Sequence, residues 1–253
     1  RVFRQDEIAD QIYDMWIETE LAQGARPGQF VCVYTKNAAA LLPRPISICE
    51  VNEEKTMLRL VYRTVGTGTN EFADYHAGTE ISLLGPLGNG FPVEKAAGKR
   101  VFLIGGGIGI PPMLQLSKEI KKAGQAYCEL SVLGYRNELF LNTDLEKYSQ
   151  VYVATEDGSA GTKGTVLDAI KEKGLSGDVI FACGPMPMLR AIKEYAAANN
   201  MEAYISLEEH MACGVGACLG CVCKTKNVDA HSHVHNSRIC TDGPVYNAEE
   251  VEI

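Results

Sequence analysis

The sequence predicts a multi-domain chain: an antiparallel β-barrel, then an α/β domain with a doubly wound parallel sheet, then a small cysteine-rich segment. Three observations predict it. Residues 1–97 run in short alternating stretches separated by turn residues, residues 98–205 alternate apolar strands with helical stretches, and residues 206–253 lose periodicity and gather cysteine. A length of 253 residues suits two compact cores with an appendage.

In the barrel region the stretches IYDMWIETE, QFVCVYT, PISICEV, TMLRLVYR and GTEISLLGPLG read as strands. Between them, Arg44 stands between Pro43 and Pro45, ahead of Ile46 and Ser47. An arginine on so stiff a backbone presents a fixed fork suited to a diphosphate. Downstream, Gly66-Thr67-Gly68-Thr69 reads as a turn offering backbone N–H groups and a hydroxyl to the same anion.

From Lys99 the rhythm becomes strand, glycine cluster, helix. Gly105, Gly106, Gly107 and Gly109 follow an apolar strand and precede Pro111, which fits a first helical turn. Glycine-rich loops in this context bind pyrophosphate at a helix N-terminus, although this one departs from G-x-G-x-x-G and a purely structural tight turn is the alternative. CELSVLGYR and VYVATEDG read as further strands, a helix is expected near Val166 to Lys173, and DVIFACG leads into another helix. Cys183, Gly184 and Pro185 thereby fall at the carboxyl edge of the sheet, where doubly wound folds bind ligands.

Of nine cysteines, five lie between positions 213 and 240. Cys213, Cys218 and Cys221 have the C-x4-C-x2-C spacing of plant-type 2Fe-2S clusters, which take a fourth cysteine further on. Gly214, Gly216 and Gly220 between them allow positive φ and aim N–H groups at the sulfurs. Cys223 and Cys240 compete for the fourth position. In a strand leaving the loop, Cys223 would lie roughly 6–7 Å along from Cys221, so Cys240 is the expected ligand. A four-cysteine zinc site is the alternative, but such sites usually use two C-x2-C knuckles and one is present. His231, His233 and His235 sit among polar residues and read as a solvated loop. Cys32, Cys49 and Cys128 read as plain buried thiols.

The formal charge of −8 without a basic block argues against nucleic acid. No run of about 18 apolar residues spans a membrane, and the first ten residues do not read as a secretory signal. A cytoplasmic protein is expected.

The RPIS stretch with its downstream YR and GT, the GGGIGIPPM loop and the CGPMPML strand end resemble the ferredoxin reductase superfamily. With SLEEHMACGVGACLGCVCKTK and RICTDGPVY added, the chain is similar throughout to the electron-transfer subunits of NAD-linked, two-subunit bacterial dihydroorotate dehydrogenases. The resemblance implies a FAD-binding barrel (1–97), an NAD-binding domain (98–205) and a 2Fe-2S domain (206–253). It implies FAD on Arg44, Pro45, Ile46, Ser47, Val61, Tyr62, Arg63, Gly68 and Thr69, and a cluster on Cys213, Cys218, Cys221 and Cys240. It further implies an FMN-containing catalytic subunit as partner in a heterotetramer of two copies of each, electrons passing from FMN through the cluster and FAD to NAD, and a place in pyrimidine synthesis. No general base for dihydroorotate is expected here. The loop between Cys221 and Cys240 is longer than the family pattern leads one to expect. Met211, Val215 and Leu219 are expected to be exposed apolar residues that the partner covers.

Overall fold

The computed structural model describes residues 1–229 and 233–253. The chain opens with β1 (Val2–Ala9), β2 (Ile12–Glu18), β3 (Phe30–Tyr34), β4 (Arg44–Val51) and β5 (Met57–Arg63), then helix α1 (Thr67–Ala73) and β6 (Ser82–Leu87). These strands form one antiparallel sheet in the order β1-β2-β5-β4-β3-β6. Its ends meet where the Val2 N–H reaches the Thr79 carbonyl at 2.9 Å and the Gly78 N–H returns to the Val2 carbonyl at 2.9 Å, which curls the sheet into a barrel. Alternation sends Val31, Ile48, Leu60 and Tyr62 inward, where they pack with Phe72 of α1.

The second unit holds β7 (Arg100–Gly106), α2 (Pro111–Ala123), β8 (Cys128–Tyr135), the short α3 (Asn142–Leu145), β9 (Gln150–Thr155), β10 (Thr162–Lys163), α4 (Val166–Glu172), β11 (Val179–Cys183), α5 (Met186–Ala198) and β12 (Glu202–Ser206). Pro111 starts α2 and the left-handed Gly124 ends it, its N–H bonded back to Ile120 and Lys121 carbonyls. Thr165 and Asp168 form a reciprocal cap on α4. The sheet order is β10-β9-β8-β7-β11-β12-β15, where β15 (Val245–Asn247) pairs antiparallel to β12 and the other neighbours are parallel. The chain therefore walks outward from β7 on one side, then returns to build β11 and β12 on the other, so the switch point lies between β7 and β11.

The remaining strands, β13 (Val222–Lys224) and β14 (Asn236–Arg238), form a hairpin in the cysteine-rich segment. This segment is not a free appendage. Cys221, Ile239 and Cys240 share one buried core with Ile104 and Ile205 of the parallel sheet and with Phe30 and Cys32 of the barrel. Among the described residues, no helix is long and apolar enough to cross a membrane.

Barrel and sheet are joined by a buried ionic cluster. Arg59 of β5 holds Asp14 through Nε and Nη2 at 2.9 and 2.8 Å, and reaches Glu50 and Asp144 at 3.1 Å each. Lys118 of α2 adds Glu50 at 3.2 Å and the Val51 carbonyl at 3.0 Å, while Gln115 receives the Val51 N–H at 2.8 Å.

Under α2, Ser117 donates to Glu129 of β8 at 3.1 Å, yet burial pushes that carboxyl up to about 7 from an ordinary 4.5. Between those values the folded chain keeps a proton that the unfolded chain has released, so stability falls as pH rises through the window. Glu129→Gln is expected to raise thermal stability at about pH 8 by roughly 1–2 kcal/mol, after discounting for partial solvent access, and to change little near its ordinary value. Equal effects at both pH values in thermal melts would refute this reading.

Candidate functional site

A cavity of about 500 Å³ opens at the switch point. Its floor is the β7–α2 loop, Gly106 to Gly109, beside the β11–α5 corner of Cys183, Gly184 and Pro185. Register aligns Gly105, Cys183 and Ser206 in one row across three adjacent strand ends. The barrel supplies Phe30, Pro45, Ser47 and Arg63, and the segment from Ser206 to Met211 closes the remaining side with Pro244. The glycines are there because backbones touch. A Cβ on Gly109 would fall on the Cys183 carbonyl, and one on Gly106 would meet the Met188 sulfur at 2.6 Å. On the sequence's expectation that this loop takes the nucleotide and the barrel a flavin, Gly109→Ala, by pushing the β11–α5 corner away, would weaken nucleotide binding by about tenfold or more and leave flavin content intact; titration with NADH followed by flavin absorbance would check it.

Arg44 and Gly68 meet outside this cavity. The Arg44 guanidinium lies so close over Gly68 that a Cβ there would stand 2.5 Å from Nε, and Nη1 is fixed by the Leu42 carbonyl. Not every expected residue joins them. Tyr62 is buried in the barrel, its hydroxyl donating to Gln5 at 2.9 Å, and Ile46 packs against the same core, whereas Val61 is buried on the other face against the parallel sheet and α2. Gly66 to Thr69 begins helix α1 instead of forming a simple turn, and the Thr69 hydroxyl caps that helix, accepting from the Val65 N–H at 2.9 Å. Gly105 packs on Ile110 behind the cavity floor.

The cysteine loop gathers its thiols in pairs. Cys213 Sγ accepts from the Val215 N–H at 3.5 Å and the Cys218 N–H at 3.4 Å; these donors favour thiolate and bring its pKa down to about 6. Cys240 Sγ accepts from the Gly216 N–H at 3.2 Å, and Cys218 Sγ from the Gly220 N–H at 3.4 Å. Burial, then its neighbour Cys221, push the Cys240 thiol up to about 12. Cys213 thus stands with Cys218, and Cys221 with Cys240, an arrangement that suits a two-iron cluster needing two thiolates per iron. Among the described residues, no three His, Cys, Asp or Glu side chains converge as a single-ion site would require. Gly214 and Gly216 take φ of 70° and 78°, but the third left-handed residue is Leu219 at 56°, not Gly220. Cys223 sits on β13, where the Tyr246 side chain reaches it and the neighbouring Cys221 thiol is felt.

The Cys240 end of the loop is tied down twice. Arg238 and Asp242 form a two-pronged ion pair at 2.9 and 3.1 Å. Asn89, from the barrel side, donates to the Asp242 and Val245 carbonyls at 2.8 and 3.0 Å and accepts from the Val245 N–H at 3.0 Å. Cys32 is more than filler: its sulfur would stand 3.0 Å from a Cβ on Gly214, so barrel and cysteine loop touch there. Around the loop Val215 (53%) and Leu219 (50%) are exposed, whereas Met211 (9%) is buried. The expectation for Met211 was wrong because it helps wall the cavity and joins the shared core. His233 and His235 are exposed, His235 Nδ1 lying 2.9 Å from the Lys226 carbonyl; His231 lies outside the described residues.

Sequence reasoning used Ser206 to His210 for the family resemblance but gave them no role at the site, and it did not name Asn89. A signal was present for the first: SLEEH has neither helical nor strand periodicity, yet runs directly into Met211 and Cys213.

Comparison with known proteins agrees with this geometry. The iron-sulfur cluster binding domain of dihydroorotate dehydrogenase B matches residues 208–252, and the oxidoreductase NAD-binding domain matches residues 103–194. The dihydroorotate dehydrogenase B (NAD(+)) electron transfer subunit of Geobacillus sp. (strain WCH70) is 42% identical over 255 residues, covering 99% of this chain and 96% of that protein. Its counterpart from Listeria monocytogenes serovar 1/2a (strain ATCC BAA-679 / EGD-e) is 41% identical over 254 residues, covering 100% and 98%. Among solved structures, that of the NADH-dependent reduced ferredoxin-NADP oxidoreductase, described for flavin-based electron bifurcation, superposes with a TM-score of 0.88 at 29% identity, covering 99% of this chain and 88% of that one. A ferredoxin NADP+ reductase from Neisseria gonorrhoeae with bound FAD and NADP shares the fold alone, with a TM-score of 0.65 at 16% identity over 79% of this chain and 89% of that one. With the barrel, the nucleotide sheet and the paired thiols in place, and relatives matching from end to end, the chain belongs to the family of dihydroorotate dehydrogenase B (NAD(+)) electron transfer subunits.

Proposed function

We propose that this chain relays electrons between the FMN of a dihydroorotate dehydrogenase catalytic subunit and NAD+, through a 2Fe-2S cluster on Cys213, Cys218, Cys221 and Cys240 and a FAD whose ring end occupies the switch-point cavity. The observation that carries this reading is the continuity of one wall: the cavity side runs from Ser206 to Met211 and enters the cysteine loop two residues later. A flavin exchanges electron pairs with nicotinamide and single electrons with a cluster, which carries one at a time. The residues do the rest. In this reading Arg44 and the start of α1 hold the diphosphate, Pro45, Ser47 and Arg63 the ring end, and Gly106 to Gly109 with Cys183 to Pro185 the nicotinamide side. Backbone N–H groups from Val215 and Cys218 favour the Cys213 thiolate, and the Gly216 N–H is aimed at the Cys240 sulfur.

The partner docks over Val215 and Leu219, in a cytoplasmic heterotetramer of two copies of each subunit that serves pyrimidine synthesis. Hydrogen exchange with and without that partner is expected to show protection across 213–222. The deciding experiment is an absorption spectrum of the chain coexpressed with its catalytic partner, before and after anaerobic addition of dihydroorotate. Flavin and cluster bands that both bleach are expected. Bands that bleach with NADH but ignore dihydroorotate would transfer the chain to another partner, such as a ferredoxin-linked one.

A further inference from the structure

We propose that Cys32 is a positioning residue for the iron-sulfur centre, reaching it from the barrel: its thiol donates a hydrogen bond toward the sulfurs of Cys213 and Cys221 and so makes the centre easier to reduce. The proposal rests on the reading of the cysteine loop given above. Its starting point is a contact between two units. Cys32 lies on β3, is 0% exposed, and shares one buried core with Cys221 and Cys240. A Cβ built on Gly214 would stand 3.0 Å from the Cys32 sulfur and 3.2 Å from Leu87 Cδ1; apart from that glycine and its chain neighbours, no other atom of the described residues comes within 4 Å. Gly214 takes a φ of 70°, so the loop turns with its backbone laid on the sulfur. Of the two barrel groups at this point, only the thiol has a hydrogen to donate.

The backbone donors of the loop leave a gap that this thiol fills. Cys213 Sγ accepts from the Val215 and Cys218 N–H groups, Cys240 Sγ from Gly216, and Cys218 Sγ from Gly220. Among the described residues no backbone N–H is donated to Cys221, and no hydrogen bond uses the Cys32 sulfur. That sulfur feels Cys213 and Cys221, one thiol from each pair, and so stands at the seam between them. Burial keeps a thiol neutral and its hydrogen in place. An electron arriving at the centre adds negative charge, and a donor aimed at the sulfurs stabilises that state more than the one before it. In a dry core the difference is larger than at the surface. The strand itself explains why this residue holds the position. Side chains alternate along β3, so Phe30 and Cys32 face the same side, the first at the cavity wall and the second at the cysteine loop. Cys49 of β4 is buried as completely, yet it belongs to the other core, with Met113 and Leu116 of α2.

The test is the midpoint potential of the cluster, read by redox titration followed by electron paramagnetic resonance in the holoprotein with its partner. Wild type would be compared with Cys32→Val, Cys32→Ala and Cys32→Ser. Valine replaces the thiol by apolar volume, alanine covers the case in which valine crowds Gly214, and serine restores a donor. The expected result is a fall of about tenfold in the equilibrium constant for one-electron reduction in both the valine and the alanine variants, which is ~59 mV, with serine close to wild type. Cys49→Val should leave the constant where it is, because that thiol packs in the other core. A second readout is the infrared difference spectrum on photoreduction of the cluster, in which a shifted S–H stretching band is expected in wild type and absent from Cys32→Val. A merely structural role would lower the melting temperature and leave the constant at its wild-type value, or shift it equally in the serine and valine variants. Either result overturns the proposal, as does loss of the cluster from all three Cys32 variants, which would make the residue a ligand or a packing group. A wild-type protein without a reduced-cluster resonance would instead overturn the reading of the cysteine loop.

Discussion

Replacing Cys240 with alanine is expected to abolish the cluster's broad visible absorption while the chain stays folded around its flavin. Cys240 is buried, accepts from the Gly216 N–H and stands with Cys221, so on the ligand set proposed above alanine would remove one of the four thiolates that hold the cluster. Loss of an outer partner to a metal site alone costs 10–100-fold, so partner-dependent electron transfer is expected to fall by more than about 10²-fold. The fold tolerates the change because the tethers of this turn, Arg238 to Asp242 and Asn89 to Val245, do not use the thiol. NADH should still bleach the flavin. Absorption spectroscopy and dihydroorotate-driven NAD+ reduction check both halves, and a Cys240→Ala protein that keeps its cluster would move the fourth ligand to Cys223.

The second large effect is expected on stability. Arg59→Met should lower it by about 3–5 kcal/mol, because the buried Asp14 loses the cation that compensates it and Glu50 and Asp144 are left with Lys118 and Lys147 alone. For a chain of this size that corresponds to roughly 10 °C in thermal midpoint. The Arg59 side chain is 9% exposed and its partners come from both units, Asp14 and Glu50 from the barrel and Asp144 from α3. The variant should therefore also loosen the barrel from the sheet, the two walls of the cavity. Melts followed by circular dichroism at saturating FAD test this, and a shift under about 2 °C would show that water already screens the cluster of charges.

Much of this architecture was legible in the sequence because it is written in local periodicity. Five of the barrel strands, the strands of the parallel sheet from β7 to β9 and β11, and the helices beginning at Pro111, Val166 and Met186 follow from alternation, helical spacing and proline or glycine punctuation. The paired thiols were legible because cluster spacing is a short-range constraint. What escaped was non-local or of mixed signal. Thr67 to Ala73 looks like a glycine-threonine turn, and only the burial of Phe72 among barrel residues makes a helix worthwhile. Strand β15 is three residues long and exists because β12 offers an unpaired edge. Met211 carries no local sign that cavity and core both claim it.

The clasp formed where β15 closes on β12, with the Leu207 N–H on the Pro244 carbonyl, bears on repair. An iron centre attacked by oxygen would leave behind a loop pinned at both ends, not a dangling tail. Gathering the four sulfurs again then costs only the ordering of a closed loop, since the entropy of bringing its ends together has already been met by strand pairing. Damage and rebuilding become events inside an otherwise finished protein, and a subunit that has lost its metal remains a template for receiving it again.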